Sequence, residues 1–170
     1  MKRLDDLLLL GNPQLYEKSE PVLRDELHLV PGWASDLHNV MEEIRARYNF
    51  GRGIAAPQLG IKKRLIYINI DEPVIIINPE LHDLSGEIFE VWDDCMCLPN
   101  LLVKVHRHRS LTLKYFDENW EQSEWRVTDD LAELVQHEYD HLGGSFAQCG
   151  PSIRNPSGGR ADPAGSSSQQ

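Results

Sequence analysis

The spacing of apolar residues predicts two helices in the chain. In the first, apolar residues recur at intervals of three and four, which is the period of an amphipathic helix. These residues are Leu37, Val40, Met41, Ile44 and Tyr48, and they place the helix over about 34–48. The second is predicted over about 129–142, where Thr128 is a suitable N-cap and Gly143-Gly144 is a stop signal.

Six stretches between these helices are rich in β-branched and aromatic residues and are separated by turn formers, which predicts strands. They lie at 64–70, 73–78, 86–92, 102–106, 110–116 and 124–127. Strands clustered between two helices favour an α+β fold with a mostly antiparallel β-sheet, an N-terminal amphipathic helix and a central second helix.

The last twenty residues differ in composition from the rest of the chain. In 151–170, Gly, Pro and Ser fill 11 of 20 positions and Ile153 is the only large aliphatic residue. Such a segment cannot bury enough apolar surface to offset its ordering entropy. We therefore expect one domain over 1–150, followed by a disordered tail over 151–170.

Net charge and cysteine usage narrow the class of protein. A formal charge of −10 argues against nonspecific binding to nucleic-acid phosphates. No apolar run approaches the roughly 20 residues of a membrane helix, and the acidic amino-terminal residues make a poor export signal. Three cysteines without an export signal predict reduced thiols and a cytoplasmic location. Nothing indicates an oligomer, so we expect a monomer.

A His-Glu-x-x-His pattern on the second predicted helix carries the strongest chemical signal. Residues four apart share a helix face, so His137 and His141 can bind one metal ion between them. On a helical wheel Glu138 falls within the apolar stripe, where burial would raise its pKa and make it a better base near neutral pH. Two surface histidines beside a salt-bridged glutamate are the alternative, which the position of Glu138 disfavours.

Two histidines do not complete a catalytic metal site, which usually has three protein ligands and an open position for water. The thiolate of Cys95 or of Cys97 could be the third ligand, since both follow a predicted strand. Spacing alone does not choose between them, and a small buried hydrophobe is the alternative for either.

Three segments in order resemble the motifs of the peptide deformylase family. They are GRGIAAPQLG (51–60), DDCMCLP (93–99) and QHEYDHLGG (136–144). The resemblance implies Cys95 as the ligand beside His137 and His141, because Pro99 then keeps the family's spacing. It also implies Fe(II), with Zn or Ni able to occupy the site, whereas coordination rules alone favour zinc. The chain departs from the family at Asp93-Asp94, which stands for Glu-Gly, and at Cys97, which stands for Ser.

The implied reaction removes the formyl group from the N-terminal formyl-methionine of newly made proteins. In it Glu138 would accept a proton from a water activated by the metal, and then deliver it to the departing amine. The Gln58 amide and the Met96 backbone N–H would donate hydrogen bonds to the developing oxyanion. The implied partner is a formyl-methionyl nascent chain, with a transient ribosome contact.

Six residues are candidates for contact with the peptide. Gly51 and Gly53 would let an extended peptide approach the backbone closely. Apolar residues near the motifs could line a pocket for methionine, or could equally belong to the core. They are Ile54, Trp92 and Leu134, with Val135 as a further candidate, while Arg107 is interpreted as structural.

Two other functions share parts of this pattern. A zincin-type metallopeptidase also uses His-Glu-x-x-His, but it usually takes a third His or Glu ligand further along the chain. No His or Glu follows His141 in this sequence, which counts against that class. A catalytically inactive metal-binding module is the other alternative.

Overall fold

A computed structural model of the chain describes residues 1–99 and 101–145, and the backbone of residues 153–154. There are two α-helices, α1 at Val30–Tyr48 and α2 at Asp129–Leu142. The strands are β1 (Gly53–Ala55), β2 (Leu65–Asn69), β3 (Pro73–His82), β4 (Ile88–Asp94), β5 (Leu102–His108), β6 (Ser110–Phe116), β7 (Gln122–Thr128) and β8 (Ile153–Arg154). Short 3-10 helices lie at Leu4–Asp6, Pro13–Tyr16, Arg24–Leu29 and Ala56–Leu59.

The strands form two antiparallel sheets. One has five strands in the order β1-β2-β3-β6-β7, and the other has three in the order β4-β5-β8. Helix α2 packs against β1, β2, β6 and β7 of the first sheet and against β5 of the second. The α+β class with mostly antiparallel strands is therefore confirmed, and α2 lies where the two sheets meet.

Alternate residues of β2 pack against different helices, so this strand is buried on both faces. Leu65 and Tyr67 join the apolar cluster that contains the buried side of α1. Ile66 and Ile68 join the cluster that contains the buried side of α2. The five-stranded sheet is thus a layer between the two helices, and the strand period of two produces this division.

Several predicted bounds shift for local reasons. Helix α1 begins at Val30 rather than near 34, because Pro31 fits the first turn, where its missing N–H breaks no hydrogen bond. β3 continues past residue 78 to His82 through a register shift between Ile77 and Glu80. Thr128 stands at the N-cap of α2, but its side chain makes no capping hydrogen bond.

The predicted tail lies largely outside the described residues. Within 151–170 the structure describes only Ile153–Arg154, which pair as β8 with Leu102 and Val103 of β5. Disorder elsewhere in that segment remains a prediction. None of the helices in the described ranges is both long enough and apolar enough to cross a membrane.

Candidate metal centre and active site

Three potential metal ligands meet between the end of β4 and the last two turns of α2. His137 and His141 lie one helical turn apart, with their Nε2 atoms 3.3 Å from each other. Cys95 directly follows β4, and its Sγ is 3.4 Å from His141 Nε2. Their ligand atoms all lie within 4.8 Å of one another. The sequence-predicted ligand set is therefore brought together in space.

The spacing and chemistry of this cluster fit a tetrahedral divalent cation. Ligands held at about 2.0–2.3 Å from such an ion lie roughly 3.3–3.6 Å apart. The separations of 3.4 Å between Cys95 Sγ and His141 Nε2, and of 3.3 Å between the two Nε2 atoms, fall within this range. A thiolate with two imidazoles suits zinc or iron, while magnesium and calcium prefer oxygen ligands. Three protein ligands would leave one position open for water.

A buried acid orients the first of the two histidines. His137 Nδ1 lies 2.9 Å from Asp93 Oδ2, so a proton on Nδ1 leaves Nε2 free to bind a metal. Arg107 donates from Nη2 to the same Asp93 oxygen at 2.8 Å, and from Nη1 to Asp140 Oδ2 at 2.6 Å. Burial alone would raise the pKa of Asp93, but His137 and Arg107 outweigh it and lower that pKa to about 2. Asp93 is thus held as a carboxylate.

Glu138 points from the same helix into the site and is almost completely buried, with 2% of its surface exposed. Its Oε2 has no hydrogen-bond partner in the described part of the chain. Burial raises the pKa of Glu138 to about 7, with the charges of Asp93 and Glu133 acting in the same direction and His137 opposing them. A buried carboxylate with an unused oxygen is suited to accept a proton from a molecule bound beside it.

Gln58 is fully buried on the 3-10 helix that follows β1, rather than exposed in a loop. Its Oε1 accepts the Ala55 N–H at 2.7 Å, which fixes the amide so that Nε2 faces the two thiols. That nitrogen is 3.3 Å from Cys97 Sγ and 3.8 Å from Cys95 Sγ. The neighbouring Cys97 and burial together raise the pKa of the Cys95 thiol well above its usual range. A bound cation would counter this effect by stabilising the thiolate.

A cavity of about 300 Å³, here called the catalytic cavity, opens beside His137 and Glu138. Gly51, Gly53, Leu134 and Met96 are among its lining residues, whereas Ile54 and Trp92 are not. Ile54 is fully buried in the core cluster beside α1. The ring of Trp92 instead lies beneath Lys104, whose Nζ is 5.6 Å from the ring centre.

The walls of the catalytic cavity are more polar than a simple methionine pocket would require. Half of its twelve lining residues are ionisable: Arg52, Asp93, Asp94, Glu133, His137 and Glu138. Arg52 forms two ion pairs at the edge of the cavity, with Nη1 3.0 Å from Asp130 Oδ2 and Nη2 3.5 Å from Glu133 Oε2. The apolar wall expected from the sequence is here reduced to a few residues such as Leu134.

A second group of potential ligands, Asp93, Glu133 and His137, also lies within 4.8 Å. It shares His137 with the first cluster, and its Asp93 carboxylate is already bound by Arg107. A cation there would compete with a buried guanidinium for the same oxygen. The cluster of Cys95, His137 and His141 is therefore the better candidate for a metal centre.

Sequence reasoning missed the roles of Asp93, Asp140 and Arg52. The one available signal was the double acid before Cys95, because strand alternation requires one of two adjacent residues to face inwards. Arg107, interpreted from the sequence as structural, is buried and joins Asp93 to Asp140.

Comparisons with known proteins identify the family of the chain. A family model described as "Polypeptide deformylase" matches residues 4–148. A curated peptide deformylase from Microchaete diplosiphon is 34% identical over 145 residues, covering 79% of this chain and 78% of the relative. The peptide deformylase of Pseudothermotoga lettingae is 36% identical over 137 residues, covering 80% and 76%.

Solved structures show the same similarity at the level of the fold. An actinonin-bound class I type b peptide deformylase from Acinetobacter baumannii superposes with a TM-score of 0.76 at 30% identity, covering 84% of this chain and 94% of that one. The same organism's enzyme bound to Met-Ala-Ser gives a TM-score of 0.72 at 29% identity, covering 83% and 94%. The chain therefore belongs to the peptide deformylase family of hydrolases.

Proposed function

We propose that Cys95, His137 and His141 form the metal centre at which this chain, as a peptide deformylase, removes the formyl group from N-formyl-methionine of newly made proteins. The observation that carries the proposal is the approach of these three ligand atoms to within 4.8 Å, beside a buried Glu138 with an unused oxygen. Water and the formyl amide are converted to formate and a free amino terminus.

The metal supplies one part of the chemistry, since a bound divalent cation lowers the pKa of water and polarises a carbonyl oxygen. The protein side chains supply the rest. Asp93 holds the Nδ1 proton of His137, so that Nε2 stays available as a ligand. Glu138 is the general base that takes a proton from the attacking water and returns it to the departing amine.

Two donors are proposed to stabilise the negative charge that develops on the formyl oxygen. The first is the side-chain amide of Gln58, which the Ala55 N–H holds with Nε2 towards Cys95. The second is the backbone N–H of Met96, which makes no hydrogen bond with other described residues. Removal of one such donor typically lowers the rate by about 10²–10³-fold.

The strand edges beside the catalytic cavity support an extended peptide as the substrate. Among the described strands, β1 pairs only with β2, and β4 lies at one side of its sheet. Gly51 and Gly53 line the cavity near β1, while Asp94 and Met96 line it near the end of β4. A peptide laid along either edge could continue the sheet through backbone hydrogen bonds. Leu134 is proposed to contact the methionine side chain, and the placement of Ile54 and Trp92 makes them weaker candidates.

Iron(II) is proposed as the cation, with zinc or nickel as substitutes, and this choice rests on the family resemblance. The described cysteines, Cys95 and Cys97, are both free thiols, which a reducing compartment such as the cytoplasm maintains. A monomeric state and a transient ribosome contact remain predictions.

The test is formate release from formyl-Met-Ala-Ser, assayed anaerobically with iron(II), nickel or zinc. Glu138→Gln preserves the size of the side chain but removes the base, so we expect at least a hundredfold loss of kcat with metal binding retained. Glu118→Gln, in an exposed turn, is the matched control and should keep full activity. Cleavage of internal peptide bonds without formate release would instead indicate a zincin-type metallopeptidase. Metal binding with neither activity would indicate an inactive module.

A further inference from the structure

Asp94 occupies the junction between the catalytic cavity and a second, larger groove. The groove, here called the apolar groove, has a volume of about 700 Å³ and runs past residues such as Leu4, Ile44 and Leu101. Asp94 lines both spaces, as do Phe50 and Met96. A peptide that leaves the catalytic cavity towards the apolar groove must pass these three side chains.

The backbone of β4 determines which way Asp94 points. Adjacent residues of a strand face opposite sides, so the inward Asp93 places Asp94 outwards, and its side chain is exposed. Asp94 is also the last residue of β4, opposite Leu102 of β5, on a strand whose other edge has no partner among the described strands. A peptide added to that edge would have Asp94 beside it.

The cations near Asp94 in the described part of the chain do not pair with its carboxylate. Arg107 is engaged by Asp93 and Asp140, and Arg52 by Asp130 and Glu133. Arg47 lines the apolar groove together with Asp94 but forms no ion pair with it. No hydrogen bond or ion pair joins the Asp94 carboxylate to another residue within the described ranges. Within the described ranges, the passage between the two spaces therefore carries a negative charge that has no ion-pair partner.

We propose that Asp94 is a specificity-determining residue that selects substrates by the charge of the residues following formyl-methionine. It attracts a lysine or arginine there and repels an aspartate or glutamate. This inference rests on the proposed function, and it adds a preference within the formyl-methionyl peptides. Exposed charge pairs typically contribute an amount that corresponds to about a two- to fivefold effect, and repulsion of the opposite substrate adds to the ratio.

The test compares kcat/KM for formyl-Met-Lys-Ser and formyl-Met-Glu-Ser, with formyl-Met-Ala-Ser as the neutral reference. At low ionic strength we expect the lysine peptide to be preferred over the glutamate peptide by about five- to tenfold. At about 1 M salt the Debye length falls to roughly 3 Å, and the ratio should approach one. This salt measurement uses the unaltered protein and so does not depend on any variant folding.

Variants then assign the effect to one side chain. Asp94→Asn should reduce the lysine-to-glutamate ratio to near one, and Asp94→Lys should invert it. Glu118→Gln changes the net charge by the same amount as Asp94→Asn and should keep the original ratio. Equal rates for the two peptides in the unaltered protein, or an unchanged ratio in Asp94→Asn, would overturn the inference alone. Absence of formate from all three peptides would overturn the proposed function itself.

Discussion

Gly53 lies against the proposed general base so closely that a single added methyl group should disturb catalysis. A Cβ atom built at Gly53 would lie 3.0 Å from Oε1 of Glu138, 3.2 Å from its Cγ and 3.3 Å from its Cδ. Glu138 is buried beneath β1 and has little room to retreat. Restoring ordinary contacts of 3.4 Å or more requires a relative shift of about 0.4 Å.

This shift gives the expected size of the effect of Gly53→Ala. Catalytic groups must be held within about 0.5 Å of the productive geometry, and a misplacement of about 1 Å can cost on the order of 10²-fold. We therefore expect kcat for formyl-Met-Ala-Ser to fall about tenfold. Overpacking of this kind also lowers the free energy of unfolding by about 1–3 kcal/mol.

The assay measures kcat and KM separately by formate release, with thermal unfolding as a check on the fold. Gly86→Ala is the matched control, because a Cβ there meets nothing within 4 Å and its φ is not positive. If Gly53 served only the approach of the peptide, as the sequence indicated, KM would rise and kcat would stay constant. A folded Gly53→Ala variant with kcat within twofold of the original would refute the packing argument.

Three further predictions concern the metal and the end of α2. Asp93→Asn removes the carboxylate that orients His137, so the affinity for the metal should fall about 10–100-fold. A competition titration with a chelator measures this affinity, and an unchanged value would contradict the role of Asp93. Removal of the metal should lower Tm, and its return should restore Tm, because a ligand at 100 times its Kd stabilises the folded state by about 2.7 kcal/mol. A Tm that does not respond to metal would contradict a site that exists only in the folded chain. Gly144→Ala should lower the free energy of unfolding by more than about 2 kcal/mol in chemical denaturation, because φ is +70° and the new Cβ would lie 2.5 Å from the Tyr16 carbonyl oxygen. Gly143→Ala, with its closest contact at 3.4 Å, should cost far less than Gly144→Ala.

Local patterns in the sequence accounted for both helices and for the six longer strands. These elements follow from periods of 3.6 and 2 residues and from turn formers, all of which act over a short range. The short β1 was missed because its three residues, Gly53–Ala55, lie in a glycine-rich segment that is typical of a turn. Pairing with Ile66–Ile68 of β2 makes it a strand, and this contact is not encoded locally.

The sequence predicted some residues of the candidate site and missed others. His137, Glu138 and His141 follow from helical spacing alone, and the family resemblance added Cys95. The ion pairs that join Arg107 to Asp93 and Asp140 depend on the register that brings β4, β5 and α2 together. The spacing of residues along the chain could therefore not predict them. The polar character of the catalytic cavity was also unexpected, because Arg52 and Glu133 are far apart in the chain and meet only across β1 and α2.

The sequence by itself determined the class of fold, the His-Glu-x-x-His pattern of the second helix and the resemblance to the family. Each of these depends on residue order within one short segment, or on several such segments taken in order. Only the tertiary structure decided which acid holds His137, and which acid beside the catalytic cavity has no ion-pair partner among the described residues. Those properties depend on distances of a few ångströms between side chains from different elements, and such distances are set by packing between the two sheets and α2.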